Sequence, residues 1–119
     1  MAIMTTKEII QRYFEELTRK GNWESLLSED LEFTSFTSPV KHVTGKAAYL
    51  ESTKRFFSMI KSLEVRDLII EGTKACALTR YQLQSPAGSF QSDVAELFTV
   101  ADDKIRSLAI YFDTAPFPK

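Results

Sequence analysis

A single carboxylate interrupts an apolar run in the second half of the sequence. Residues 94–98 read VAELF, which places Glu96 among four apolar residues in a segment typical of a β-strand. If its side chain faces solvent, Glu96 is ordinary surface, whereas an inward-facing carboxylate needs a hydrogen-bonding partner or a chemical role. A carboxyl group in a dry pocket has a raised pKa and is suited to general acid or base chemistry. Glu96 is therefore the first candidate for a functional residue.

Other reactive residue types are scarce. His42 is the only histidine and Cys76 the only cysteine, and neither belongs to a cluster at metal-ligand spacing. We therefore expect no metal site and no cofactor, and we find no glycine-rich phosphate loop or serine elbow. His42 falls in a loop-like segment, where exposed surface is the expected location.

Composition narrows the class of protein further. The chain has 119 residues and a formal net charge of −1, which predicts one domain spanning residues 1–119 and no nucleic-acid surface. It has no apolar run long enough to span a membrane and no secretory leader, so the expected location is cytoplasmic.

Helical patterns come first and strand patterns follow. Thr5 and Glu8 have the spacing of a capping box before a helix that Gly21 ends. Asn22 is placed to cap a short second helix, and Thr44 a third. Strand patterns follow at residues 31–36, 63–71, 74–84, 90–100 and 105–113, with short turns between the last four. This order predicts an α+β fold in which helices pack on one face of a curved sheet.

Two stretches resemble a known family. GKAAYLESTKRFF at the third helix and FTVADDKIRSLAIYFDTAPF at the end resemble the SnoaL-like branch of the nuclear transport factor 2-like superfamily, over residues 7–117. The resemblance implies a cone-shaped, cystatin-like barrel: a curved, mainly antiparallel sheet wrapped around three N-terminal helices, with a hydrophobic pocket and commonly a homodimer. Such folds serve isomerases, epoxide hydrolases, polyketide cyclases, dehydratases and binding modules, so the fold alone does not identify the chemistry.

Alternation along each strand sorts residues into two faces. One face carries Phe33 and Ser35, then Cys76, Leu78, Arg80 and Gln82, then Val94, Glu96 and Phe98, then Leu108, Ile110 and Phe112. The other face, around Ala95, Leu97, Ala109 and Tyr111, is also apolar, which suggests that a second copy covers it. Alternation alone leaves open which face is inside.

The resemblance to ketosteroid isomerases of this superfamily resolves that choice. It implies that Glu96 lies inside the cone, as a neutral carboxylic acid that donates to a developing enolate, with Arg80 beside it. Ser35 stands where these enzymes have their general base, and Phe14, or Tyr13 after a one-residue slip, where they have a tyrosine hydroxyl. Arg80-x-Gln82 is also similar to the Arg-x-Asp pair of limonene-type epoxide hydrolases. Serine is no free base and glutamine cannot deprotonate water, so neither match is complete.

Two functions remain open. The first is an isomerase, hydrolase or cyclase for a hydrophobic small molecule, with Glu96 and Arg80 as catalytic residues. The second is a non-catalytic ligand-binding or dimerisation module, in which Arg80 and Glu96 form a structural ion pair. The ligand-binding residues expected in either case are Tyr13, Phe14, Phe33, Ser35, Leu78, Gln82, Val94, Phe98, Leu108, Ile110 and Phe112.

Overall fold

The computed structural model describes residues 4–37 and 39–117. Its helices are α1 (Thr6–Arg19) and α2 (Lys46–Met59), with one 3₁₀ turn at Trp23–Leu26. Its strands are β1 (Leu27–Ser35), β2 (Lys41–Thr44), β3 (Ile60–Glu71), β4 (Lys74–Ser85), β5 (Gly88–Ala101) and β6 (Lys104–Phe112). The predicted α+β class is confirmed, as helices packed on a curved sheet.

Helix α1 begins at the predicted capping box. The Thr5 hydroxyl accepts a hydrogen bond from the Glu8 N–H at 3.1 Å, and the Glu8 carboxylate accepts one from the Thr5 N–H at 2.8 Å. These bonds satisfy two of the N–H groups that a helix start leaves free. The apolar face of α1 is buried, and its members are Ile9, Ile10, Tyr13, Phe14 and Leu17.

The prediction of three helices is wrong in the described part of the chain. The second predicted helix is a single 3₁₀ turn, because the chain enters β1 at Leu27. Helix α2 starts after Gly45, which has a φ of 96°, rather than after a capping Thr44. The segment expected to be a loop contains β2, a four-residue edge strand whose mostly exposed side chains give no alternating apolar pattern.

The six strands form one sheet in the order β2-β1-β6-β5-β4-β3. Every neighbouring pair is antiparallel except β1 and β6, which run parallel. Helix α1 contacts β3, β4 and β6, and α2 contacts β1, β2 and β4. The main core lies between these helices and the sheet face that carries Leu31, Ala77 and Phe98.

The predicted inner face is correct on three strands and wrong on β4. Phe33, Val94, Phe98 and Leu108 are buried on the helix-covered side. On β4, however, the buried set is Ala75, Ala77, Thr79, Tyr81 and Leu83. Cys76, Leu78, Arg80 and Gln82 therefore lie on the opposite face, because a one-residue error in a strand reverses every side chain.

Helices α1 and α2 have 14 residues each, and neither is long and apolar enough to cross a membrane.

Candidate functional site

A cavity of about 180 Å³ lies between α2 and the inner face of the sheet. The strands contribute Phe33, Ser35, Lys41, Tyr81, Val94, Glu96, Leu108, Ile110 and Phe112 to its wall. Helix α2 contributes Tyr49, Ser52, Thr53, Phe56 and Phe57. The wall is thus mainly aromatic and aliphatic, with a few polar groups at separate points, as in many small-molecule sites.

Glu96 is the carboxylate of this cavity and is only 4% exposed. Its Oε2 atom lies 2.7 Å from the Thr79 hydroxyl and 2.7 Å from the Tyr81 hydroxyl, the two partners placed to donate to it. Both donors belong to β4, and Ala77, directly opposite Glu96 on that strand, is small enough to leave room. Both hydroxyls are directed at Oε2, and no hydrogen bond from residues 4–37 and 39–117 reaches Oε1.

Burial changes the acidity of Glu96. Removal of the carboxylate from water raises its pKa to about 7, although the hydrogen bonds from Thr79 and Tyr81 lower it in part. The group is consequently present in both protonation states near neutral pH, as an acid/base catalyst requires.

Three tyrosines surround this carboxyl group. Burial, with the nearby charge of Glu96, raises the pKa values of Tyr13, Tyr49 and Tyr81. All three hydroxyls therefore remain protonated at neutral pH and act as hydrogen-bond donors or acceptors, not as bases.

Tyr13, Phe14 and Phe98 form packed core instead of cavity wall. The ring centroids of Tyr13 and Phe98 are 5.7 Å apart, and those of Phe14 and Phe98 are 5.9 Å apart, both in edge-to-face geometry. These residues belong to the hydrophobic core and do not line the cavity, which differs from the ligand contact predicted for them.

The predicted contact between Arg80 and Glu96 is wrong. Arg80 pairs with Asp93, directly opposite it on β5, through two hydrogen bonds of 2.8 and 3.2 Å on the outer face of the sheet. Leu78 is 41% exposed on that face, and Gln82 donates a hydrogen bond to Gln91 there. Arg80, Leu78 and Gln82 therefore do not line the cavity.

Sequence reasoning missed Thr79, Tyr81 and Lys41. The alternation of β4 contained the signal for the first two: residues 75, 77, 79, 81 and 83 are the less polar set, and residues 74, 80, 82 and 84 are charged or amide side chains. Lys41 gave no such signal, because it lies in a short edge strand that reads as a loop.

The remaining reactive groups lie elsewhere. His42 is exposed on β2, with its Nε2 atom 2.9 Å from the Glu32 carboxylate and its Nδ1 atom 2.8 Å from the Thr34 hydroxyl. Cys76 is half-buried on the outer face of β4. Across residues 4–37 and 39–117, no group of three or more histidine, cysteine, aspartate or glutamate side chains is placed to hold a metal ion.

Comparison with known proteins gives a consistent family and fold. A family model described as the SnoaL-like domain matches residues 10–108. No curated protein matches the sequence significantly.

Solved structures with the same fold share little sequence. A putative ketosteroid isomerase from Kribbella flavida superposes with a TM-score of 0.75 at 21% identity, covering 98% of this chain and 87% of that one. A putative SnoaL-like polyketide cyclase from Shewanella denitrificans gives 0.77 at 10% identity, covering 93% and 92%. A protein with a ketosteroid isomerase-like fold from Catenulispora acidiphila, in complex with trimethylamine, gives 0.73 at 18% identity, covering 94% and 90%.

Proposed function

Because the chain belongs to the SnoaL-like domain family of the nuclear transport factor 2-like superfamily, we propose that it is a single-domain, small-molecule enzyme that moves a proton within a hydrophobic substrate. The observation that carries this proposal is Glu96, which lines an apolar cavity and has one oxygen that accepts hydrogen bonds from two hydroxyls and a second oxygen with no hydrogen bond from the described residues. The reaction class is isomerisation, or a cyclisation that begins with the same proton transfer.

One carboxyl group suffices for such a reaction. In its ionised form Glu96 accepts a proton from a carbon next to a carbonyl group, and in its neutral form it returns that proton at another carbon. A pKa of about 7 allows both steps at neutral pH. The mainly apolar wall disfavours water beside the carboxyl group, where water would compete for the proton.

Epoxide hydrolysis of the limonene type is disfavoured. That chemistry needs a base for water and an acid for the epoxide oxygen, and the segment similar to the Arg-x-Asp pair of those enzymes is Arg80-x-Gln82. Both lie on the outer face, so Glu96 would have to perform the two tasks alone.

A non-catalytic binding module remains the second candidate, because the cavity offers few free donors for a developing oxyanion. Ser52 and Thr53 already donate their hydroxyl protons to the Tyr49 carbonyl, at 3.0 and 2.8 Å. Tyr81 and Thr79 are directed at Glu96. The structure from Catenulispora acidiphila in complex with trimethylamine supports small-molecule binding in this fold without implying catalysis.

A small unsaturated ketone separates the two candidates. Cyclohex-3-enone loses a proton from the carbon between its carbonyl and its double bond, and regains one at the far alkene carbon to give cyclohex-2-enone. We expect the protein to accelerate this conversion and Glu96→Gln to reduce the acceleration by about 10²–10⁴-fold. Ultraviolet absorbance of the conjugated product provides the measurement, and Glu71→Gln, at an exposed carboxylate, is the matched control. Binding of the ketone without acceleration would support the binding module instead.

We also propose that the protein is a symmetric homodimer through the outer face of the sheet. Leu78, Leu97 and Tyr111 are each more than 40% exposed there, and Leu78 and Tyr111 both lie beside Ala95 in the strand register. An apolar face of this kind is typical of an interface between subunits.

Sedimentation at micromolar concentration is expected to give the mass of a dimer, and Leu97→Glu to give that of a monomer because it introduces a charge into the patch. Val40→Glu, which alters an exposed apolar residue outside β4–β6, is the control. A monomeric wild-type protein would contradict the proposal.

A further inference from the structure

A row of four residues crosses the inner face of the sheet at the cavity. In the strand register, Lys41 of β2 lies opposite Ser35 of β1, Ser35 opposite Ile110 of β6, and Ile110 opposite Glu96 of β5. All four line the cavity. The row therefore begins at an ammonium group and ends at a carboxyl group, with a hydroxyl and an aliphatic side chain between them.

The two ends of this row differ in their surroundings. Glu96 is buried and hydrogen-bonded by Thr79 and Tyr81. Lys41 is exposed on the edge strand, and within residues 4–37 and 39–117 no carboxylate forms an ion pair with it. The cavity thus has a carboxyl group at its interior end and an uncompensated positive charge at its rim.

The spacing of the row limits the length of a ligand that touches both ends. Three strand spacings separate the Cα atoms of Lys41 and Glu96, which amounts to about 14 Å in a flat sheet. Because the sheet is curved and both side chains extend from their strands, a ligand that contacts both ends is shorter than this distance.

The cavity volume also limits the size of the ligand. An apolar cavity of about 150 Å³ holds one benzene molecule. The cavity here, of about 180 Å³, accommodates one ring and a short substituent, whereas a four-ring steroid exceeds it.

We propose that the ligand is a small single-ring carboxylate, whose ring occupies the aromatic cavity beside Ile110 and whose carboxylate is bound at the rim by Lys41. The ammonium group supplies a charge-assisted hydrogen bond, and Ser35 is placed to donate a second one. The ring is thereby oriented with its far side toward Oε1 of Glu96. This inference rests on the proposed function only in requiring that the same cavity takes a small molecule.

Three ligands of similar shape and different charge test the inference. Phenylacetate is the anion, 2-phenylacetamide its neutral counterpart, and phenethylamine a cation of similar size. Titrations followed by NMR at pH 6, where Glu96 is mainly protonated, give the three dissociation constants. Phenylacetate is expected to bind about fivefold or more tightly than the amide, in line with a charged contact near the surface.

Lys41→Met identifies the source of that preference. It is expected to weaken phenylacetate binding about fivefold and to leave amide binding unchanged, because methionine keeps most of the apolar stem but not the charge. Lys74→Met, which removes an exposed lysine that does not line the cavity, is expected to change neither.

The outcomes distinguish this inference from the proposed function. Equal binding of anion and amide, tightest binding of the amine, or an unchanged preference in Lys41→Met would each overturn the carboxylate assignment while leaving the cavity a binding site. If none of the three compounds binds to the wild-type protein, the carboxylate assignment fails, and the conversion of cyclohex-3-enone then decides separately whether the proposed function holds.

Discussion

Replacing Glu96 by glutamine is expected to stabilise the protein at pH 8 while leaving its stability at pH 4 nearly unchanged. The glutamine carbonyl oxygen can still accept the hydrogen bonds of Thr79 and Tyr81, and its amide has the shape of the neutral acid. Arg80 pairs with Asp93, so the substitution does not leave it unpaired. The substitution removes a buried charge and leaves no oppositely charged side chain unpaired, so we expect the fold to be retained.

The pH dependence follows from the raised pKa. The folded-state pKa of Glu96 is about 7, above the ordinary value of 4.5 for a glutamate side chain, so the folded protein binds the proton more tightly than the unfolded chain does. The stability associated with this group is fully present below pH 4.5 and is lost as the pH rises through about 7. This pKa shift corresponds to a loss of about 3 kcal/mol in the free energy of unfolding between these pH limits.

Urea denaturation between pH 4 and pH 8 measures this effect. The difference in unfolding free energy between wild type and Glu96→Gln isolates Glu96, because the other titrating groups are common to both proteins. The difference is expected to grow with pH for Glu96→Gln and to remain flat for Glu71→Gln. Parallel curves for wild type and Glu96→Gln would mean that Glu96 has an ordinary pKa in the folded protein.

Removing the Tyr81 hydroxyl is expected to move the titration of Glu96 to higher pH. The Tyr81 hydroxyl lies 2.7 Å from the Glu96 carboxylate and lowers its pKa by stabilising the ionised form. In Tyr81→Phe that donor is gone, while the ring can keep its edge-to-face contact with Phe56. A hydrogen bond to a charged group contributes about 1.5–3 kcal/mol, so the pKa should rise by one unit or more.

Carbon-13 NMR of glutamate-labelled protein reports this pKa directly. Tyr111→Phe removes a hydroxyl from the outer face and is expected to leave the Glu96 titration in place. If the proposed function is correct, the rise of activity with pH shifts upward together with the NMR titration in Tyr81→Phe. An unchanged Glu96 pKa would show that the Tyr81 hydroxyl does not stabilise the ionised carboxylate.

Much of the fold and one end of the site were predictable from local patterns. The capping box at Thr5, the alternation of β5 and β6 and the inward direction of Glu96 all depend on short-range rules, with the resemblance selecting between the two faces. Alternation groups the residues of each strand into two faces, and the resemblance was needed because both faces of β5 and β6 are apolar.

To identify Thr79 and Tyr81 as the hydrogen-bonding partners of Glu96, one needs the register of β4 against β5, which the sequence analysis did not assign. The β4–β5 hairpin closes with Ser85 opposite Gly88, and this two-residue loop sets Ala77 against Glu96 and Arg80 against Asp93. The sequence analysis grouped Arg80 with Cys76, Leu78 and Gln82 on the face assigned to the cavity, and without this register the error in face placed Arg80 beside Glu96. Lys41 was missed for another reason, since its place beside Ser35 depends on an edge strand with no sequence signal of its own.

The order of strands in the sheet also bears on how the protein reaches its native state during synthesis. Strand β1 pairs with β2 on one side and with β6 on the other, and β6 is made last among the described strands. The wall formed by Phe33, Ser35 and Lys41 therefore stays separate from the rest of the sheet until residues 104–112 have left the ribosome. Strands β3, β4, β5 and β6 can instead assemble by successive hairpins as they emerge. Closing the long loop between β1 and β6 carries the larger entropic cost and belongs among the slow steps of folding. A nascent chain that is still growing therefore exposes the apolar lining of its cavity until its final strand inserts, and exposed apolar surface of this kind is what chaperones bind.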